Sequence, residues 1–514
     1  MSENSNSLVR QEEHMKKFCI FLLIAAMVLP LCACTFGSVP ADGGEQTVTE
    51  SEAVPEETRT PHQVPEDLDF NGETFHAAFI GHYSGSTNDG MYFANEGSPD
   101  NMEAAVYRRT QKVKEYLNVE ITYTEEVKSE EYQALFRAGD DLYQLLMLSI
   151  PDENRYQEDM LWTAYIIKPY VSQGYLYNLD TLPYVDYTAD WWNKEQMDVL
   201  RLGKNTYLGV SDFTITHPAA IIFNKDIVED NNLENPYDLV YAGTWTLDKF
   251  IEMAASVVND VNGDGEYGED DIACLLIGDQ TQYTSFFPGC GQFVTQKGED
   301  GRIELALNTE KTLSLFDKLV RIYETRGLAC YTAVEDQQKY YENGKVLFMP
   351  GFAASMEDMT NTEFDVGIVP FPKYDEEQKE YMSLAWGGMM GVSGIIRNPE
   401  MVGAVLELLA WESDNLVVPT YYDVLLKTRY AHDQETRDMM DILFDSVVYE
   451  VVAAYFSMSP GLCEMFYTPI QPARFGQMNF AAFYRAYKTP AKNQIEDFYE
   501  VLDATEGVTD TAAE

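Results

Sequence analysis

An α/β fold is what this sequence predicts, and three observations predict it. Apolar residues change period along the chain, from strand-like alternation to a helical stripe and back. The run Leu142 to Leu148 is nearly all apolar, the pattern of a strand covered on both faces of a parallel sheet. Hydrophobic residues make up 45% and aromatic residues 13% of the 514, which supports large cores and two or three domains.

The elements follow in order. Thr74 to Ile80 reads as a first strand ending at Gly81. A helix from Glu103 to Leu117 carries Met102, Val106, Val113 and Leu117 on one stripe. Val119 to Tyr123 is a second strand, and Glu130 to Ala138 a helix stopped at Gly139. With Leu142 to Leu148 as the third strand, the order is βαβαβ, which places ligands at strand C-terminal ends. Ala219 to Phe223 is a further strand. Thr246 caps a helix running to Val258, with Asp248 in its first turn. Ile303 to Leu307 alternates like a strand. Lys311 to Glu324 is an amphipathic helix through Leu313, Phe316, Leu319, Val320 and Tyr323. Lys345 to Met349 and Asp365 to Val369 read as short strands broken by Pro350, Gly351 and Pro370. Helices dominate from Glu400 onward, and there are no internal repeats.

The N-terminus has a different grammar. Lys16 and Lys17 precede an apolar run from Phe18 to Leu31, followed by Leu31-Cys32-Ala33-Cys34. A charged start, a short apolar run and small residues at a cut site make a secretory signal. The ending resembles the lipobox of bacterial lipoproteins, which implies that Cys34 is the first mature residue and carries lipid. Two acyl chains suffice for stable anchoring. The competing reading is an uncleaved transmembrane anchor, against which stand the short run and Pro30. Met15 reads as a better start than Met1, because Ser2 to His14 is no signal n-region. Residues 35–67 are rich in Gly, Pro, Thr and Glu and read as a disordered acidic tether.

The net charge of −50 excludes a nucleic-acid partner and reads as solubility. Cys274, Cys290, Cys330 and Cys463 are scattered without a CxxC, and most read as buried thiols. HExxH, GxSxG and GxxxxGK[ST] are absent.

Several blocks carry a family resemblance: Trp191-Trp192-Asn193 with Gly203 to Tyr207, Ile221 to Asp226, Gly243 to Phe250, Gly344 to Phe348, Gly367 to Pro372, and Trp386-Gly387-Gly388. In this order, over Phe70 to Asp503, the chain resembles the extracellular solute-binding lipoproteins of ABC importers, the carbohydrate-type family that includes maltose-binding protein. Ser211-Asp212 departs from the Gly-Asp expected there. The resemblance implies two α/β lobes of the Venus-flytrap type with a helical C-terminal region. Lobe one spans 68–216 plus 338–385, lobe two spans 219–335 plus 388–503, and 504–514 form a disordered tail. It also implies a monomer on the extracellular face of the membrane that works with importer membrane subunits. A ligand in the cleft, first of all an oligosaccharide, closes the lobes because it binds the closed state better.

Candidate ligand contacts follow from position. Tyr83 lies in the loop after the first strand, a cleft-facing spot in such folds; it reads equally as a surface turn residue. Asp212 and His217 flank the expected first crossing, where loop capping is the alternative. Phe352 follows Pro350-Gly351, where maltose-type binders place a stacking aromatic. Trp386 precedes Gly387-Gly388 at a later crossing. Core packing is the alternative for both. Trp192 is favoured over Trp191 for the cleft, and Trp245 reads as a staple for its helix.

Asp260 to Asp271 matches the calcium-loop pattern DxNxDG. Asp260, Asn262 and Asp264 would supply oxygens at positions one, three and five, Glu266 its carbonyl at seven, and Asp271 the twelfth position. Asp in place of Glu at twelve implies weaker coordination in a structural role. A calcium-free acidic turn is the alternative. Two other functions compete: a glycan-degrading enzyme using paired carboxylates, and an attachment module, for which a single such loop is too few.

Overall fold

The computed structural model describes residues 59–80, 92–98, 100–148, 170–265, 267, 271, 273–277, 284–307, 309–331, 341–386, 388–421, 433–456, 461–467 and 479–512. Tyr83, Cys34, Glu266 and the apolar run before Cys34 lie outside them. Among the described residues no helix is long and apolar enough to cross a membrane.

The chain enters a four-stranded sheet through β1 (Glu73–Ile80), α1 (Asn101–Leu117), β2 (Val119–Val127), α2 (Ser129–Ala138) and β3 (Leu145–Leu148). β1 pairs in parallel with both β2 and β3. Each helix starts and stops where its local chemistry dictates. The Asp100 carboxylate accepts from the Met102 and Glu103 amides, and Asn118 closes α1 in the left-handed region. Gly139, at φ 68°, closes α2. β3 is shorter than the apolar run implied, because Leu142 is 42% exposed and Gln144 ties its own side chain back to Asp141. Its four remaining side chains are all buried, each adding roughly 1.5–3 kcal/mol relative to exposure.

After α3 (Lys194–Leu200) the chain crosses into β4 (His217–Asn224), the spine of a seven-stranded sheet. α4 (Leu247–Val257) is capped by Thr246, whose hydroxyl accepts from the Lys249 amide. β5 (Ala273–Ile277), the hairpin β6 (Thr295–Lys297) and β7 (Ile303–Leu305), α5 (Glu310–Glu324) and β8 (Ala329–Tyr331) follow. The buried face of α5 is Thr312, Leu315, Phe316, Leu319 and Ile322, while Leu313 is 40% exposed. The expected stripe is rotated because Thr309 and Thr312 both turn inward onto the Gln292 amide oxygen.

The later segments join the sheets the other way round from the expected lobe boundaries. β9 (Val346–Phe352) pairs with β4 and β5, and β10 (Val366–Pro370) with β4, so both belong to the seven-stranded sheet. β11 (Ser383–Trp386) also pairs with β4. β12 (Met389–Val392) then pairs antiparallel with β3, and α6 (Pro399–Tyr421) packs on α1. α7 (Gln434–Asp445) returns to β4 and β10, and β13 (Val447–Val448) pairs with β11. β9 runs through Pro350 unbroken. Its pairing with β5 ends at Phe348, so no ladder bond is lost on that edge. α8 (Val451–Phe456), α9 (Leu462–Tyr467) and α10 (Phe480–Ala512) complete the chain, and α10 carries helix into the segment expected to be a disordered tail.

The end of the expected tether is also folded. Residues 59–64 strap across α6 and α1. The Arg59 guanidinium lies 3.2 Å from the Trp411 ring centroid and donates to the Trp411 carbonyl at 2.5 Å. Trp411 Nε1 donates to the Thr60 carbonyl at 2.8 Å, and Val64 is 4% exposed. Composition alone missed this because the partners lie about 350 residues away.

Candidate functional site

Two strands cross between the sheets side by side. His217 at the start of β4 stands opposite Trp386 at the end of β11, and Pro218 opposite Ala385. Beyond Trp386, Gly388 passes against residues 214–216. Its φ is +68°, and a Cβ there would sit 2.6 Å from Thr216 Cγ2 and 3.0 Å from the Thr214 and Ile215 carbonyl oxygens. Only glycine meets both demands. Met390 then bridges to Gly209. Phe352 stands opposite Ala219. Backbone register therefore brings His217, Phe352 and Trp386 to neighbouring positions at one end of the larger sheet.

Asp212 precedes this crossing in a turn built by Ser211 and Thr214, which exchange bonds of 2.9 Å. Its amide donates to the Trp191 carbonyl. Burial raises the Asp212 carboxyl well above the usual range, and the Asp414 and Asp190 charges add to this. Burial pushes the His217 imidazole down to about 4, and its enclosed Nδ1 has no hydrogen-bond partner among the described residues. Near pH 7 the crossing thus presents a neutral imidazole beside the turn that holds a carboxyl whose burial favours its protonated form. Such groups donate and accept hydrogen bonds without a net charge, which suits hydroxyl groups.

Two further residues shape this ribbon and escaped the sequence reading. The buried Tyr449 is bonded to Thr216. Arg109, fully buried on α1, donates to the Tyr92 carbonyl and to Ser413 Oγ at 3.2 Å, and its guanidinium lies 4.9 Å from the Phe213 ring centroid. Burial draws it down to about 9. The helical period carried the signal, since 109 falls on the stripe of 102, 106, 113 and 117.

Trp192 requires a correction. It is 4% exposed, its Nε1 donates to Glu407 Oε2 at 2.8 Å, and its ring packs edge-on against Tyr187. Trp191 donates to the other Glu407 oxygen at 3.2 Å. Both indoles hold down a buried carboxyl of α6, so Trp192 offers no face to a ligand. Phe352, 9% exposed, is largely core in this conformation. Trp245 is fully buried and donates to the Pro370 carbonyl.

In the acidic loop, Asp260 accepts from the Gly263 and Gly265 amides at 2.6 and 2.9 Å, and Asn262 from the Asp264 amide at 2.8 Å. Asp271, 2% exposed, accepts from the Val261 amide. Carboxylate oxygens of Asp260, Asp264 and Asp271 lie within 4.8 Å of one another. One cation with oxygen contacts of about 2.3–2.6 Å spans that distance. The donor set, all hard oxygens, fits calcium.

No protein-family model and no curated protein matches the sequence. Solved structures do. UgpB from Mycobacterium tuberculosis, in complex with glycerophosphocholine, is 14% identical, with a TM-score of 0.53 over 84% of this chain and 98% of that one. A cyclo/maltodextrin-binding protein complexed with maltotetraose is 14% identical, with a TM-score of 0.52 over 84% and 97%. The maltose-binding periplasmic protein MalE from Listeria monocytogenes is 12% identical, with a TM-score of 0.50 over 84% and 97%. The fold is therefore that of the two-lobed, maltose-binding type of ABC solute-binding protein.

Proposed function

We propose that this chain is a lipid-anchored extracellular solute-binding protein. It captures a small solute, first of all an oligosaccharide, between the lobes and hands it to the membrane subunits of an ABC importer. The crossing ribbon supports the reading, because β4 and β11 run side by side there and bring His217 opposite Trp386, with Asp212 in the turn before them. Neighbours of the same fold bind maltose and maltotetraose, which supports a sugar; another binds glycerophosphocholine, which makes a phosphodiester the contrasting arm. Binding and release need no covalent step.

The test is a thermal-shift screen of the whole chain against neutral oligosaccharides and glycerophosphodiesters. Ligand at ~100 times its dissociation constant adds about 2.7 kcal/mol. A shift of several degrees with one sugar, recovered intact, supports the reading. Turnover of the sugar defeats it.

We also propose that Asp260, Asn262, Asp264, Glu266 and Asp271 hold a structural calcium ion, and that Cys34 carries the lipid. The calcium would pin the loop against the turn before β8, where Gly327 leaves room for Tyr267. EDTA should lower the melting temperature by several degrees and added calcium restore it. An unchanged melt, in protein shown to contain no calcium, rules the ion out. Mass analysis of the mature N-terminus tests the lipid.

A further inference from the structure

Besides the crossing ribbon, the two halves of the molecule meet at α3. Helix α3 lies with the four-stranded sheet, since the segment that follows it bridges to β12 through Gly209. The last carbonyls of a helix have no partner within it. Here donors from the other half reach two carbonyls at the end of α3 and one side chain in its first turn. The Tyr455 hydroxyl on α8 donates to the Leu200 carbonyl at 2.8 Å. The Lys297 ammonium on β6 donates to the Arg201 carbonyl. The Tyr449 amide donates to the Gln196 side-chain oxygen at 3.0 Å. At the tip of the β6–β7 hairpin, Gly301 comes against the Gly203 carbonyl.

All three donors belong to the half that carries β4, and all three acceptors to α3 and the residue after it. The donors also form one piece. Glu450 is 2% exposed and accepts from the Val294 amide at 3.0 Å, Thr295 Oγ1 at 3.2 Å and the Val452 amide at 3.2 Å. It therefore ties the hairpin bearing Lys297 to the helix bearing Tyr455. Arg201 is engaged elsewhere, with Asp180 at 2.7 and 3.0 Å, so its side chain is not free to replace these contacts.

We propose that this cluster is a second interlobe joint, a clasp in which Lys297 and Tyr455 cap the C-terminal end of α3, Tyr449 holds the Gln196 side chain in its first turn, and the three together hold the angle between the two halves. The crossing ribbon permits rotation, and the clasp selects one orientation until it is released. This goes beyond the solute-binding reading and does not require that a ligand be known. A clasp of few polar bonds suits this task. Each is worth about 0.5–1.5 kcal/mol, more for a charged donor, so the set can bias an equilibrium without welding it.

The experiment is a spin-label distance measurement on the full chain without ligand, with labels at Asp140→Cys and Asp317→Cys, both exposed, one on each half. The unaltered clasp should give one narrow distribution. Lys297→Met with Tyr455→Phe should broaden it or add a second peak. Gln196→Ala, which removes an acceptor from the opposite side, should act in the same direction and serves if the double variant folds poorly. Lys249→Met, whose partners Glu234 and Glu252 lie in its own half, should leave the distribution unchanged. Unchanged distributions in folded Gln196→Ala and Lys297→Met proteins overturn the proposal, as does an equal change in Lys249→Met.

Discussion

The two joints between the halves are built on opposite principles. At the crossing ribbon the link is covalent chain, stiffened by the β4–β11 ladder and by a glycine that lets backbone touch backbone. At α3 the link is three hydrogen bonds from one half to acceptors of the other, those of Gln196 and Leu200 buried. The ribbon's tolerance is steric and therefore sharp, whereas the clasp's is energetic and therefore graded. A substitution in the first should unfold or distort; in the second it should shift a population.

That contrast can be broken first at Gly388. Gly388→Ala should cost about 2–4 kcal/mol, from a left-handed backbone and a methyl overlapping Thr216, in a urea titration. Lys297→Met in the same assay should cost less than about 1 kcal/mol. Equal losses would erase the distinction.

Glu450 sharpens it through pH. Burial raises its carboxyl to about 7, against bonds from Val294, Val452 and Thr295 that pull it down. The folded state thus holds the proton more tightly than the unfolded chain. The stability it contributes is fully present below the ordinary glutamate value near 4.5 and is lost as pH rises through 7. Glu450→Gln should remove up to about 3 kcal/mol of that pH dependence, read by denaturation at pH 4.5 and 8. An unchanged difference between the two pH values would show the group to be ordinary.

Smaller effects separate core from site. Trp192→Phe deletes a bond to the buried Glu407 and should cost about 1–3 kcal/mol of stability while leaving ligand affinity within roughly twofold. A stacking role would reverse that pattern. Asp212→Asn supplies a neutral hydrogen-bonding group of the same shape and should hold ligand affinity within about threefold, whereas Asp212→Ala should lose about tenfold or more by calorimetry. Strong loss in both would mean that the ionised form binds.

Local chemistry was legible in the sequence. Gly139 ends its helix, Thr246 begins one, and the apolar stripe of α1 faces inward as its period requires. His217 and Trp386 were read at crossings, and they are partners across two strands. What failed was non-local. Whether residues 346–370 join the first sheet or the second depends on pairing with β4 more than a hundred residues earlier. The turn of α5 depends on Gln292, and the fate of Trp192 depends on Glu407. No period or cap encodes such partners.

The Arg59 strap changes the reach of the molecule. With residues 59–64 fastened across α6, the proposed lipid at Cys34 would be separated from the strap by residues 35–58 and no more. At ~3.4 Å per residue a chain of that length spans at most roughly 80 Å, some 30 Å less than one that ran to residue 67. The leash is then knotted to the half that carries the four-stranded sheet. A pull from the membrane would land on that half first and would reach the other only through the crossing ribbon and the clasp.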